Sequence, residues 1–159
     1  LINMEKYLSL LKIQDNAAAG RYRKKAEYEV GREFAVESQV GDTHTGRISK
    51  VYDADTFKLK TNDGAQHIVR LFGVDALEKT QLGGKAFASK LEELLRRQDI
   101  KIQHIADGPH GRMIAKATVN GKDISEWLIQ NGFAMVYEQY IKDDGLRERY
   151  LALQAEAQK

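Results

Sequence analysis

Apolar residues recur at helical spacing along the first forty positions. Met4, Leu8, Leu11 and Ala18 fall on one face, and charged residues of both signs cover the other. Two glycines interrupt the pattern, so we expect a broken or two-part helix. The pattern predicts a helical extension over residues 1–40 that packs on the body of the protein or on a partner, or is solvated without a catalytic role.

From Val40 onward the pattern changes to short strands separated by turns. Asn62-Asp63-Gly64 is a strong hairpin signal, and Asn131-Gly132 is a favoured helix end. The pattern predicts strands over 45–52, 56–60, 67–74, 100–105 and 113–119, and helices over 83–97, 124–130 and 146–157. Short strands interleaved with helices favour an α+β fold, in which a small five-stranded β-barrel packs against helices.

Composition limits the class of protein. The chain has 159 residues, enough for one domain with an extension, and 30% of them are charged. No stretch approaches the roughly 18 apolar residues that a membrane-spanning helix needs. The net charge of +2 permits a nucleic-acid partner without arguing for one. The chain has no cysteine, which excludes disulfides and thiolate metal sites.

Charged residues stand in and directly after the apolar run of the third predicted strand. Charged side chains are almost never buried without partners, so this run presents its charges to a ligand or to one another. Similar residues lie upstream and downstream. The set comprises Asp53, Asp55, Arg70, Asp75, Glu78 and Arg112. Carboxylates and arginines in this combination are what a metal-assisted attack on a phosphodiester requires.

Four segments in a fixed order then show a family resemblance. They are VYDADTF at 51–57, VRLFGVDALE at 69–78, GRMIA at 111–115 and LIQNGFA at 128–134. In order and spacing they resemble the staphylococcal-nuclease-like (thermonuclease) family, over about residues 46–140. The resemblance implies an OB-fold barrel of five strands with helices over residues 41–159. It also implies an enzyme that cleaves DNA or RNA phosphodiesters, usually with calcium.

The resemblance implies a set of calcium ligands. Asp55 and Asp75 match the carboxylate ligands, and Ala76 stands where the family contributes a backbone carbonyl. Asp53 is implied to lie just behind them, outside direct contact with the ion. Calcium takes several oxygen ligands at about 2.3–2.6 Å and tolerates irregular geometry, so two aspartates, a carbonyl and waters meet its needs.

The resemblance also implies the roles of the other charged residues. Glu78 would orient or deprotonate the attacking water, and Arg70 and Arg112 would hold the phosphate. Two guanidinium groups suit the charge of a five-coordinate phosphorane, and a carboxylate beside the water can act as a general base. Tyr140 lies where the family has a tyrosine near the substrate phosphate, although a packing role is equally open.

Structural alternatives remain open from the residues alone. Asp53 and Asp55 suit a turn, Arg70 could pair within the protein, and Glu78 and Arg112 could be solvated. For the whole protein, the alternative is a noncatalytic OB-type module that binds nucleic acid or protein. The complete charged set speaks against that alternative, because degenerate members of the family typically lose their carboxylates.

The chain departs from the family pattern at a few positions. Leu77 replaces the usual proline before the glutamate, Pro109 and His110 stand where a lysine or tyrosine is common, and Glu138 falls near another tyrosine position. We expect activity to persist with a weaker hold on a terminal phosphate. His104 and His110 have no partner spacing typical of a metal site, and we expect both at the surface or in loops.

The substrate is expected to be single-stranded or locally opened nucleic acid, because an OB surface holds exposed bases by stacking. Candidate lysines for backbone contact are Lys58, Lys60, Lys101 and Lys116. The extension over residues 1–40 is a candidate for self-association or for binding a protein partner. The chain does not begin with methionine. For that reason, and by the family resemblance, we expect a secreted or periplasmic protein rather than a cytoplasmic one.

Overall fold

The computed structural model describes residues 38–159, so the helical extension predicted over 1–40 lies almost entirely outside the described residues and stays a prediction. The strands are β1 (Thr43–Asp53), β2 (Thr56–Thr61), β3 (Gln66–Leu71), β4 (Val74–Ala76), β5 (Ile100–Asp107), β6 (Met113–Val119), β7 (Lys122–Asp123) and β8 (Ala134–Val136). The helices are α1 (Gly84–Leu95), α2 (Ile124–Gln130) and α3 (Asp144–Ala157), with a 3₁₀ turn at Pro109–Gly111. Within this part of the chain, no helix is long and apolar enough to cross a membrane.

Five strands close into a barrel. β1 pairs antiparallel with β2 and with β5, β2 pairs with β3, and β5 pairs with β6. The ring closes where β3 and β6 run parallel, with Arg70 opposite Ile114. β7 extends the β6 edge, while β4 and β8 form a separate two-stranded sheet. The predicted α+β fold with an OB-type five-stranded barrel is therefore confirmed.

The strand predicted over residues 67–74 is wrong in one respect. The chain leaves β3 at Leu71, turns at Phe72 and Gly73, and begins β4 at Val74. The apolar run continues through this turn because the turn itself is buried, so hydrophobicity gives no sign of the break. Strand β8 was not predicted either. The other predicted strands and helices agree with the structure to within two residues at each end.

The core lies between the barrel and its helices. Phe57 and Leu59 alternate into the barrel from β2, and Ala88, Leu91 and Leu95 cover it from α1. Burying a side chain of the size of leucine or phenylalanine contributes about 1.5–3 kcal/mol. This core holds in a fixed arrangement the ends of β1, β2 and β3, which bear half of the charged set: Asp53, Asp55 and Arg70.

Helices α2 and α3 hold the turn between β3 and β4. Ser125 at the start of α2 donates a hydrogen bond from Oγ to the carbonyl of Phe72 at 2.7 Å. Asp123 caps α2 by accepting from the Ser125 amide, and also accepts from the Tyr150 hydroxyl at 2.5 Å. Gly73 has φ +81°, and a Cβ there would lie 2.6 Å from a ring carbon of Tyr150. The turn is therefore locked against two helices.

His104 is buried, so its predicted place at the surface or in a loop is wrong. It lies in β5 with 3% of its surface exposed. Its Nδ1 is 2.7 Å from Ser38 Oγ and its Nε2 is 2.7 Å from Asp107 Oδ1, while Ser38 Oγ is also 2.8 Å from His44 Nε2. Both ring nitrogens have partners, which makes the burial tolerable. His110 is exposed in the 3₁₀ turn, as predicted.

Candidate active site

Arg70 occupies the end of β3 beside the barrel seam. Only 4% of its surface is exposed. Its Nη1 donates to the carbonyl of Leu71 at 2.8 Å and to that of Val74 at 2.5 Å, on either side of the locked turn. The ring of Tyr137 lies 6.0 Å from the guanidinium carbon. These contacts fix the guanidinium in one position, and its Nη2 faces the carboxylates described next.

Asp55 is fully buried between β1 and β2. Its Oδ1 accepts from the Thr56 hydroxyl at 2.8 Å, and its Oδ2 accepts from the amide of Ala76 at 2.7 Å. The same Oδ2 lies 3.6 Å from Arg70 Nη2. Asp55 is a buried carboxylate with polar contacts to three strands. A residue that only favoured the turn would not need these contacts.

Asp75 in β4 faces the same guanidinium. Its Oδ1 lies 3.7 Å from Arg70 Nη2, and 42% of its side chain is exposed to solvent. Asp55 and Asp75 come from separate strands, yet one arginine nitrogen lies within ion-pair distance of both. The structure thus brings together the two carboxylates that the family resemblance implies as metal ligands, one buried and one partly exposed to solvent.

The implied ligands are all oxygen atoms, which suit a hard divalent cation, but only two of them are carboxylates. Within residues 38–159, no three acidic or histidine side chains converge closely enough to chelate a metal ion. The set implied by the family has only two carboxylates, completed by the backbone carbonyl of Ala76 and by water, and all of these donors are oxygen. Ala76 lies at the end of the β4–β8 ladder, opposite Ala134.

Arg112 and Arg70 line a pocket that we call the arginine pocket. Its volume is about 190 Å³, and its other polar lining residues are Tyr137, Gln139 and Tyr140. Burial lowers the pKa of Arg112, and the positive charge of Arg70 lowers it further. Two cations in one pocket repel each other, and an anion bound between them would relieve that repulsion. The pocket therefore suits a phosphate group.

Glu78 follows β4 on a short loop. Its amide donates to Gln81 Oε1 at 2.7 Å, and its carbonyl accepts from the Gln81 amide. Gly84 lies so close that a Cβ there would come within 1.8 Å of the Glu78 carbonyl oxygen. Local hydrogen bonds and one close backbone contact therefore hold the loop, which is a weaker restraint than the one on Arg70.

Asp53, at the end of β1, holds the Glu78 loop through a hydrogen bond to the residue after Glu78. It is 3% exposed, and its Oδ1 accepts from the amide of Lys79 at 2.6 Å. Burial raises the pKa of Asp53 to about 6, opposed by that hydrogen bond and reinforced by the negative charge of Asp55 and Glu78. The carboxyl group beside the implied ligands thus connects the end of β1 to the residue that follows Glu78.

The predicted lysines differ in their surroundings. Lys58 in β2 lies directly opposite Lys50 in β1. Burial, followed by the charges of Lys58 and Lys79, lowers the pKa of Lys50. Lys79 also donates from Nζ to the carbonyl of Val51 at 2.9 Å, so these three lysines form a basic group beside the Glu78 loop. Lys116 instead acts electrostatically on acidic residues of α2, and Lys60 and Lys101 are exposed on the barrel.

Several residues of the site were missed by sequence reasoning. Tyr137 and Gln139 line the arginine pocket, and Lys50 and Lys79 join the basic group. Their one available signal was proximity to a resembling motif, since each follows or precedes one within a few positions. Of the predicted residues, Tyr140 lines the arginine pocket, whereas Glu138 forms an ion pair with Arg147 at 3.5 Å.

Comparison with known proteins matches this chain to one family and to several relatives. The family model described as staphylococcal nuclease homologue matches residues 68–159, more than half of the chain. An uncharacterized endonuclease of Escherichia coli O157:H7 is 30% identical over 103 residues, which are 64% of this chain and 66% of that protein. An uncharacterized endonuclease of Haemophilus influenzae is 27% identical over 64% of this chain and 57% of that protein.

A eukaryotic protein is also similar. A probable endonuclease of Komagataella phaffii is 31% identical over 57% of this chain and 45% of its own length. The matches span less than two thirds of the length of these curated relatives. The barrel, the order of the charged residues and the match of the family model lead to one assignment: the chain belongs to the family of staphylococcal nuclease homologues.

Proposed function

We propose that this domain hydrolyses phosphodiester bonds of DNA or RNA within a strand, with one calcium ion as cofactor. The main observation is that Arg70 contacts both predicted metal carboxylates and also lines the arginine pocket with Arg112. A phosphate in that pocket would lie directly beside the carboxylates. The relatives named endonucleases support cleavage of nucleic acid.

Asp55, Asp75 and the carbonyl of Ala76 would hold the ion. When bound, a divalent cation polarises a phosphoryl oxygen and helps to place the attacking water. Burial of Asp55 and its hydrogen bonds fix one ligand before the ion arrives. The exposure of Asp75 leaves the opposite side of the site open to solvent and to substrate.

The remaining chemistry belongs to the charged side chains. Glu78 would accept the proton of the attacking water at its carboxylate, and the leaving alkoxide would depart on the opposite side of phosphorus. Arg70 and Arg112 would donate hydrogen bonds to the phosphoryl oxygens, where negative charge grows as the phosphorane forms. The fixed position of Arg70 lowers the cost of reorganisation at that step.

The test is cleavage of labelled single-stranded DNA and RNA by the purified 159-residue chain, with calcium and with chelator. We expect calcium-dependent internal cuts. Glu78→Gln should lower kcat by about 10²–10⁴-fold, because the general base is lost. Arg112→Ala should cause a loss of about 10²–10³-fold, because one donor to the transition state is lost.

Matched controls separate chemistry from folding. Glu93→Gln and Arg47→Ala remove charges of the same types from exposed ion pairs outside the site, and both should retain activity. Binding of nucleic acid without cleavage under any of the metal conditions would favour the noncatalytic OB-type module instead. Faster cleavage of a duplex than of the matching single strand would contradict the proposed preference for single strands.

A further inference from the structure

A second pocket adjoins the site and has no arginine in its lining. We call it the aromatic pocket. It has a volume of about 560 Å³, within the range of small-molecule pockets. Its lining includes Asp75, Glu78, Phe87, Phe133 and Met135. Asp75 and Glu78 thus belong both to the proposed catalytic centre and to the wall of this pocket.

Three aromatic rings are in contact with one another, and two of them, Phe87 and Phe133, line this pocket. The ring centroids of Phe87 and Phe133 are 5.0 Å apart, and those of Trp127 and Phe133 are 5.4 Å apart. Phe133 is only partly buried, and Met135 beside it is 59% exposed. Packing against two neighbours restrains the Phe133 ring, and the flexible thioether of Met135 can adapt to a flat ligand.

The charges of the two pockets specify different parts of a substrate. The charged residues that line the aromatic pocket are both acidic, so no side chain of this lining attracts phosphate. The arginine pocket has two cations and attracts phosphate. A flat, uncharged and largely apolar group suits the aromatic pocket, and in nucleic acid that group is the base. Asp75 lines the aromatic pocket and faces Arg70, so the next base along a strand lies within reach.

We propose that the aromatic pocket is a base-binding subsite, in which Phe133 and Met135 hold the nucleobase on one side of the cleaved bond. The proposal rests on the proposed nuclease function and extends it. The arginine pocket would then hold the scissile phosphate, and the aromatic pocket would hold a base next to it.

The test uses short single-stranded oligonucleotides with one cleavable linkage. In separate substrates, the base on either side of that linkage is replaced by an abasic analogue. Phe133→Leu keeps apolar volume but loses the aromatic face, and Met135→Ala changes an exposed side chain. We expect each variant to raise KM for the intact oligonucleotide by about 5- to 50-fold, in line with the contribution of base stacking.

The decisive measurement is whether the effect of each protein substitution on KM disappears when one base of the substrate is removed. With the abasic analogue on one particular side of the linkage, variant and wild type should have the same KM; with the analogue on the other side, the difference should persist. Leu151→Ala removes a partly exposed apolar side chain on α3, outside this pocket, and should change neither value.

A substrate without bases separates this proposal from the proposed function. An oligonucleotide with abasic analogues on both sides of the linkage lacks the base that the aromatic pocket would hold, so the wild type and both variants should cleave it with the same KM and kcat. Unchanged KM for the intact oligonucleotide in both variants would overturn the base subsite while leaving the nuclease function in place. A wild-type protein that cleaves neither the intact nor the doubly abasic oligonucleotide would overturn both.

Discussion

The two sides of the site are held in different ways. On one side, Asp55 and Arg70 are buried and connected through the locked turn to α2 and α3. On the other side, Glu78 stands on a loop held by hydrogen bonds to Gln81 and, through Lys79, to Asp53. The groups implied to stabilise charge are thus fixed, whereas the implied base depends on a lightly restrained loop.

This contrast has a physical reason. Stabilising the charge of a transition state requires donors whose position is set before the reaction, since their reorganisation would cost part of the gain. A base that moves a proton through water can act from a less rigid position. We therefore expect substitutions on the fixed side to change both the stability and the activity. Substitutions on the loop side should change one of these properties without an equal change in the other.

The largest expected effect is at Asp55. Asp55→Asn should reduce the free energy of unfolding by about 3–5 kcal/mol, because it leaves Arg70 buried without its closest charge partner. Asp75→Asn, at a half-exposed position beside the same arginine, should cost less than about 1 kcal/mol. Urea unfolding in chelator measures both values. Equal costs at the two positions would remove the distinction between the buried and the open carboxylate.

The next largest effect is at Gly73. Gly73→Ala should destabilise the protein by about 2–4 kcal/mol, since it adds a clash with Tyr150 to the strain of a positive φ. It should also lower kcat, because the turn bears Arg70 and Asp75 at its two ends. Gly64→Ala is the matched control: φ is +92° there, but a Cβ would meet nothing within 4 Å. A Gly73→Ala variant no less stable than this control would show that the turn is not locked.

On the loop side, the expected effect depends on pH. The native pKa of Asp53 is about 6, above the ordinary value of 3.8, so the native state binds more protons than the unfolded state between these values. Stability should therefore fall as pH rises from about 4 to 6, by roughly 1–3 kcal/mol. Asp53→Asn keeps an oxygen for the Lys79 amide and should abolish this fall.

The measurement is urea unfolding in chelator at pH 4.5 and pH 7. Asp99→Asn, at an exposed aspartate outside the site, should leave the pH dependence of the wild type intact. If Asp53→Asn showed the same fall as the wild type, the titration would belong to another group. If it unfolded the loop and lowered kcat at every pH, the hydrogen bond would depend on the charge of the carboxylate.

The smallest expected effect concerns the basic group beside the loop. Lys58→Ala should weaken binding of single-stranded DNA by a few-fold and reduce the slope of log K against log salt by about 1. Lys116→Ala should change neither, because Lys116 interacts with the acidic residues of α2. Titration at two salt concentrations measures both effects. The reverse result would place the strand on the opposite face of the barrel.

The sequence indicated much of the fold because its local signals agree. Alternating strands, the turn at residues 62–64 and the helix end at Asn131 all point to the same architecture. The break at Phe72 and Gly73 was not visible, because a turn buried under helices needs apolar residues just as a strand does. The burial of His104 was not visible either, since its partner Ser38 comes near only in the folded structure, and Asp107, three residues along the same strand, gives no sign of burial.

The candidate site was accessible from sequence only in part. Asp55, Arg70 and Asp75 stand in motifs whose charges interrupt apolar runs, so their types and spacing drew attention. The aromatic pocket could not be predicted, because Phe133 and Met135 follow a helix-ending glycine and have the composition of ordinary core. Only the tertiary structure shows that these side chains lie beside Glu78.

The parallel pairing of β3 with β6 has a consequence for how the protein is made. Arg70 lies on one side of that seam and Arg112 directly precedes the strand on the other, 42 positions later in the chain. Before β3 pairs with β6, the two guanidinium groups lie apart, and one phosphate cannot contact both of them. Under the proposed function, a newly synthesised chain would become able to hydrolyse nucleic acid only once the barrel has closed.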